Sequence, residues 1–378
     1  MAGRYRRRGF ARGFVICHNR FAAAERAYGD DEKAGPMTAP RKATSFDIAQ
    51  IAGVSQPTVS RALRGSPSIS EETRKRIAAI AHQLNYKVDK NASSLRSQRS
   101  NTLALLFFED PTPDDSHINP FFLSMIGSIT RACAKRGFDL LISFQQFSND
   151  WHTEYEDSNK ADGIILLGYG DYEAYRGRLE QLVQQGTHFV LWGSSKDGQP
   201  GVTVGCDNRQ GGHDAAMHLF GQGRRRLAFI GNATSHYPEF FSRWRGYAEA
   251  HAARGLACDP ALQADALNLE EDGYAAMRTV LSRDVPFDAL LCASDTIAIG
   301  ALRALHDAGL RVPEDVAIVG FDDIPAARLA SPPLSSVVQD QSLAGDVLVE
   351  TLVRQIDGEP ASDTVLPVRL VVRQSSGG

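Results

Sequence analysis

A small all-α head followed by a larger α/β body on doubly wound parallel sheets is the architecture this 378-residue sequence predicts. Three observations carry that expectation. Two short amphipathic helices flank a glycine between Ser45 and Leu63. From Asn101 onward, short and nearly continuous apolar runs alternate with amphipathic stretches, as buried parallel strands and their crossover helices do. The charge changes sign between the two parts. Residues 1–99 carry 19 Lys and Arg against 8 Asp and Glu, net +11, whereas the remainder carries 22 against 37, net −15. The whole-chain charge of −4 conceals this division. A basic segment neutralises phosphates and releases their counterions, while an acidic one avoids unspecific contact with polyanions.

In the head, Ser45 is expected to cap the first helix with Asp47 in its first turn, and Ile48, Ala49 and Ala52 to share one face. Gly53 supplies the turn. Ser55 then caps a second helix whose Val59 and Leu63 face inward, leaving Gln56, Pro57, Thr58, Ser60 and Arg61 outward. Pro57 falls in the first turn, where its missing N–H costs nothing. Ser70-Glu-Glu-Thr opens a third helix, and Ile77, Ile80, Ala81 and Leu84 close a three-helix core. The pattern is a helix-turn-helix, with an ordinary packed helix pair as the bland alternative. As a DNA reader, its Gln56 and Arg61 offer paired hydrogen bonds to base edges, while Ser55, Thr58 and Ser60 suit phosphates. Pro57 cannot donate, so the operator is either less specified at that step or read there by apolar contact with a thymine methyl. A polar run over 87–100 follows, with one large apolar residue, Leu95.

These stretches resemble the N-terminal module of the LacI/GalR family of bacterial transcription factors. The matching pieces are Asp47-Ile-Ala-x-x-Ala-Gly-Val-Ser-x-x-Thr-Val-Ser-Arg61, Thr73-Arg74, Leu84-Asn85-Tyr86 and Ala92-Ser-Ser-Leu95. The resemblance implies that 44–88 is the DNA-binding domain and 89–100 a hinge helix that folds on the operator. It places Ala92 and Leu95 at the DNA, with Leu95 wedged into the minor groove, where an apolar side chain unstacks a base step and bends the duplex. The alternative for Leu95 is packing on the body.

Residues 1–43 form a basic extension. Arg7-Arg8-Gly-Phe10 superficially matches an export signal, but Phe14-Val-Ile-Cys17 is far too short for a signal core. The remaining readings are a disordered tail or a start upstream of the true one; Met37 stands at the expected distance from the head and is the favoured start.

In the body, the runs Thr102–Phe108, Phe138–Ser143, Gly163–Leu167, Phe189–Trp192, Leu227–Ile230, Ala289–Ala293 and Val316–Gly320 read as buried strands. The stretches 122–136, 173–185, 212–221, 246–254, 273–281 and 296–308 read as helices. An alternation this long implies two lobes rather than one sheet, with ligands bound beyond the C-terminal strand ends. The resemblance continues here to the periplasmic-binding-protein-like effector domain of the same family, on Asn119-Pro-Phe-Phe122, Asp162-Gly-Ile-Ile165, Arg243-x-x-Gly246, Ala293-Ser-Asp295 and Gly320-Phe-Asp-Asp323. It implies an effector-binding and dimerisation domain over 101–378. The first lobe would take about 101–206 and 324–339, the second about 207–323 and 340–373, with crossings near Asp207, Asp323 and Gln339.

By the same resemblance Arg243 and Asp295 face the cleft, where a guanidinium fork and a carboxylate grip vicinal hydroxyls. The alternatives are an inter-lobe ion pair for Arg243 and a helix-start carboxylate for Asp295. Phe121, Phe122 and Trp192 are candidates for stacking on a ring, and Trp192 stands where many relatives carry an aspartate. Asn268 is a weaker candidate.

Phosphate-loop, zinc-protease and nucleophile-elbow motifs do not occur in the sequence, so no enzyme activity is expected. Neither a cofactor nor a metal is expected. The five cysteines, Cys17, Cys133, Cys206, Cys258 and Cys292, are scattered and read as small apolar side chains in a reducing compartment. No run spans a membrane. The combined expectation is a cytoplasmic, homodimeric regulator, most often a repressor in this family, binding a double-stranded operator and a small effector such as a sugar. The competing reading is a solute-binding protein without DNA function.

Overall fold

The computed structural model describes residues 43–63, 65–86, 99–107, 118–144, 150–168, 170–194 and 198–377. The extension before residue 43, Ala92 and Leu95 lie outside them. The chain divides into two compact units, 1–88 and 89–378.

The first unit holds helices α1 (Ser45–Ala52), α2 (Gln56–Leu63) and α3 (Glu71–Gln83). The cap of α1 is Thr44, one residue earlier than the sequence suggested. Its hydroxyl accepts from the Asp47 N–H while the Asp47 carboxylate accepts from the Thr44 N–H, 2.7 Å away. This reciprocal box satisfies two donors at once, which Ser45 has no partner to do. Gly53 ends α1 at φ 63°, a left-handed conformation that a Cβ resists. Ser70 caps α3, followed by Glu71 and Glu72 at its positive end. Ile48, Val59 and Ile77 are fully buried at the centre, each contributing about 1.5–3 kcal/mol of apolar burial. The inward pair on α2 is Val59 and Ala62; Leu63 is only half-buried against the same core.

The second unit contains two six-stranded sheets. The first is ordered β11 (Thr364–Leu366), β5 (Val202–Cys206), β4 (Phe189–Trp192), β3 (Gly163–Leu167), β1 (Thr102–Phe107), β2 (Asp139–Phe144), all parallel. The second is ordered β12 (Val368–Val371), β10 (Ser335–Gln339), β9 (Ala317–Asp322), β8 (Ala289–Cys292), β6 (Leu227–Ile230), β7 (Gln263–Ala264), parallel except where β12 meets β10. Helices α4 (Pro120–Lys135), α5 (Tyr172–Gln185), α6 (Asn208–Gly221), α7 (Pro238–Ala253), α8 (Glu270–Ser282), α9 (Asp295–Asp307), α10 (Pro325–Leu329) and α11 (Gln341–Ile356) cover and connect the sheets. β2 departs from the expectation of burial. It is an edge strand, and Leu141 and Ile142 are exposed.

The chain passes between the sheets three times, after Cys206, after Gln339 and at Pro367. The predicted crossing near Asp323 is corrected. After β9, α10 turns the chain back into the same sheet, where Ser335 of β10 pairs opposite Val319. There the buried Ser335 hydroxyl meets Ser376 and donates to the Arg373 carbonyl, and the Ser336 hydroxyl donates to Asp295 and accepts from the Asp323 N–H. Segment 324–339 therefore belongs to the second lobe. Helix α11 packs against α4, β3 and β4 of the first lobe, so the chain leaves the second lobe at Asp340 and re-enters it only with β12.

Helices α6 and α7 cross at their glycines. A Cβ on Gly246 would strike the Arg209 carbonyl, and one on Gly212 the Arg243 carbonyl. This close approach sets the position of Arg243, one turn before Gly246.

Candidate DNA interface and effector cleft

On α2, Ser55, Pro57 and Arg61 are exposed and Gln56, Thr58 and Ser60 half-buried, on the side opposite Val59 and Ala62. The Ser55 hydroxyl lies 2.8 Å from the Thr58 hydroxyl and accepts from the Thr58 N–H, which holds the first turn. The Gln56 amide donates to the Ser45 hydroxyl at 3.2 Å, tying the N-terminus of α2 to that of α1. Five of the six predicted residues therefore share one short helix, Ser55 immediately precedes it, and polar groups lie along its outer side.

In the body, the C-terminal strand ends gather the other candidates. Arg243, from α7, is 1% exposed. Its Nε donates to Asn208 Oδ1 at 2.8 Å, its Nη1 donates to the Ala293 carbonyl at the end of β8, and the same nitrogen lies 3.5 Å from an Asp322 carboxylate oxygen at the end of β9. The guanidinium stacks 3.7 Å from the centre of the Phe321 ring. Asp322 also accepts from Gln339 Nε2 at 2.5 Å, and Gln339 Oε1 accepts from the Cys206 thiol at 2.7 Å. A buried chain of polar contacts thus runs from Arg243 through Asp322 and Gln339 to Cys206, joining both lobes at two crossings. Burial pushes the Cys206 thiol far above its usual range, so it acts as a neutral donor.

Asp322, not Asp295, is the carboxylate that meets Arg243, and the sequence reading missed it. Asp295 is fully buried at the start of α9, with Oδ2 accepting from the Ile324 N–H at 2.8 Å and Oδ1 from the Ser336 hydroxyl at 2.7 Å. Burial, with the Asp322 charge as second cause, pushes its carboxyl well above the usual range. Asp295, the first residue of α9, points its side chain over Gly320 and under the β9–α10 connection, whereas Asp322, the last residue of β9, reaches Arg243. The signal available in the sequence was Gly320-Phe-Asp-Asp323 itself.

Trp192 ends β4 and is 2% exposed, its ring centre 6.1 Å from that of Phe121, which in turn meets Phe122 edge-on at 5.3 Å. Both phenylalanines are fully buried at the start of α4. Asn268 accepts from the Ser294 hydroxyl at 2.6 Å, while its Nδ2 is buried without a partner. Asn119, the cap of α4, likewise accepts from the Phe121 N–H at 2.9 Å and leaves a buried Nδ2 unpaired. Two orphaned amide donors at strand-end loops are unusual in a folded interior, where such groups are paired with protein or water. Among the described residues no cluster of three His, Cys, Asp or Glu is placed to hold a metal, and no helix is long and apolar enough to cross a membrane.

A three-helix reading head together with a two-lobed body whose polar side chains converge at the strand ends defines a DNA-binding regulator with a ligand-binding domain. Residues 46–89 match the family of bacterial regulatory proteins, lacI family, and residues 216–376 the periplasmic binding protein-like domain. The HTH-type transcriptional regulator CelR of Thermobifida fusca is 32% identical over 341 residues, covering 89% of this chain and 97% of that protein. DegA of Bacillus subtilis is 30% identical over 89% of this chain and 98% of its own. The solved CelR–cellobiose complex shares 31% identity with a TM-score of 0.67, covering 88% of this chain and 99% of that one. The lac repressor dimer on its operator, at 22% identity and a TM-score of 0.76 over 89% and 99%, shares the fold. The chain belongs to the LacI family of transcriptional regulators. Its relatives are regulators rather than enzymes, and the solute-binding alternative gives way to a chain that carries the family's DNA-binding module.

Proposed function

We propose that this regulator is a homodimeric, sugar-responsive repressor acting in the cytoplasm, with no catalytic role. The buried Arg243–Asp322 pair at the strand ends carries this reading, because a guanidinium fork beside a carboxylate matches the donors and acceptors of vicinal hydroxyls. Trp192 and Phe121 supply an aromatic wall, and the orphaned amide of Asn268 a further donor. That CelR was solved with cellobiose supports a sugar over other small polar ligands. A sugar inserted between Arg243 and Asp322 loosens the chain of contacts to Gln339 and Cys206, and so biases rotation of one lobe on the other.

On DNA, α2 lies in the major groove, with Gln56 and Arg61 on base edges and Ser55, Thr58 and Ser60 on phosphates. Pro57 contacts a thymine methyl, and Ala92 and Leu95 contact the minor groove. Exposed Leu123, Leu141, Ile142 and the 85% exposed Leu329 offer apolar surface to a second copy. A two-fold dimer presents two α2 helices, so the operator is near-palindromic.

The test is binding of the full chain to the DNA upstream of its own gene, with and without neutral sugars, at low and high salt. Tight, salt-sensitive binding released by one sugar is the expected result. Specific binding that no sugar alters would sink the effector reading, and absence of specific binding would mean that the operator lies elsewhere or that the head does not read DNA.

A further inference from the structure

Thr44 rather than Ser45 caps α1, and the Ser45 hydroxyl has a different partner. It accepts from the side-chain amide of Gln56, Nε2 to Oγ at 3.2 Å, across eleven positions of chain and from one helix to the next. Both residues are half-buried. Each is also fixed by its own helix start. Ser45 is the first residue of α1, directly after the Thr44–Asp47 box, in which the Thr44 hydroxyl donates to the Asp47 carboxylate at 2.7 Å. Gln56 is the first residue of α2, whose opening turn Ser55 closes through Thr58. The amide is therefore held from two sides, and a side chain already in its binding geometry loses less freedom on contact. Arg61, on the same helix, is exposed and long, and must be ordered by whatever it meets.

A primary amide has two N–H donors and one carbonyl oxygen. With one N–H on Ser45, Gln56 keeps one N–H and its Oε1 for a partner outside the helix. That pair matches the major-groove edge of adenine, whose N6 amino group donates and whose N7 accepts. Guanine presents two acceptors there, O6 and N7, and one of them would face Oε1. We infer that Ser45 is a positioning residue for sequence reading: it holds the Gln56 amide so that one step of each half-site reads adenine. The inference rests on α2 as the base-reading helix, proposed above, and deepens that reading. Without Ser45 the amide is free to turn over and offer its N–H groups to guanine.

Selection by the full chain from a pool of randomised double-stranded DNA, followed by fluorescence anisotropy on the single-base-pair versions of the selected site, tests this role. Gln56→Ala marks the step as the position whose preference it removes, and the parent selects adenine there. Ser45→Ala lowers the preference for adenine over guanine at that step by about two- to tenfold, the worth of one hydrogen bond, and leaves the other positions as strict as before. Ser45→Thr keeps the hydroxyl and with it the preference. In the Gln56→Ala background Ser45→Ala changes nothing further, because the two residues act as one unit. A Ser45→Ala protein that melts like the parent and discriminates like it overturns the proposal. So does guanine at that step in the parent, and so does an equal loss from Ser45→Ala with and without Gln56, which would make Ser45 a contact in its own right. If the pool yields no preferred sequence, or Gln56→Ala relaxes no step, the base-reading role of Gln56 falls and this one with it. If Gln56→Ala relaxes a step that Ser45→Ala leaves strict, only the positioning role falls.

Discussion

Asp295 and Arg61 show how differently single residues yield to sequence reasoning. Arg61 is exposed on a helix whose opposite side packs the head, so its outward orientation follows from spacing alone. Arg61→Ala is expected to cost about 1–3 kcal/mol on the cognate operator and much less on random DNA, measured by fluorescence anisotropy on both. Equal losses would make it a phosphate contact. Asp295 has the opposite character. Its removal leaves the Ile324 N–H and Ser336 hydroxyl buried without their acceptor, so Asp295→Ala should destabilise the protein by about 2–5 kcal/mol in urea unfolding. The pH dependence has a definite sign. Because burial raises the folded pKa above the ordinary 3.8, the folded state binds the proton more tightly than the unfolded chain does. That contribution is complete below the unfolded value and disappears as pH rises through the folded one. The difference between parent and variant should therefore be larger at about pH 5 than at about pH 8. A difference that grows with pH would mean that the carboxylate, not the acid, is the form the fold retains.

Among the elements, three glycines that look like helix boundaries are contact points. The sequence pattern starts a helix at each of Gly212, Gly246 and Gly273, yet α6, α7 and α8 begin at Asn208, Pro238 and Glu270. Each glycine lies inside its helix where a second helix crosses, and a Cβ there would strike backbone. Propensity alone assigns such a glycine to an end, because in isolation it weakens a helix; packing reverses the assignment. Gly246→Ala should force α7 away from α6, cost about 1–3 kcal/mol or more, and weaken effector binding, because Arg243 lies one turn away. Parallel urea unfolding and sugar titration would show both effects; a variant that binds sugar normally would separate the crossing from the site. β10 was missed for a related reason. Its Ser-Ser-Val-Val-Gln sequence is not an apolar run, and it becomes a buried strand only because Ser335, Ser336 and Gln339 find partners in other elements.

For the whole molecule, the division of charge between the halves makes DNA binding an electrostatic function of the head. If each dimer neutralises about 6–10 phosphates, affinity should fall about 10³- to 10⁵-fold between 50 and 200 mM salt, read from the slope of a log–log plot. A slope near zero would mean that base contacts alone hold the complex. The two-lobed body was legible from the alternation of apolar runs with amphipathic stretches, whereas the lobe boundaries were not. Two segments, 324–339 and 340–356, lie in the lobes opposite to those expected, since strand order within a sheet depends on pairing between residues far apart in sequence.

The sequence by itself determined the helix-turn-helix and its outward residues, the split of charge, the parallel α/β character of the body and the family. These follow from short-range periodicity, caps and local composition, which act within one or two turns of chain. Only the tertiary structure decided that Asp322 rather than Asp295 meets Arg243, that Gly246 joins two helices rather than starting one, and that Ser45 holds Gln56 rather than capping α1. In each case side chains of suitable chemistry occur at several positions. Which of them meet depends on where distant strands end and in which direction the neighbouring helix start points them.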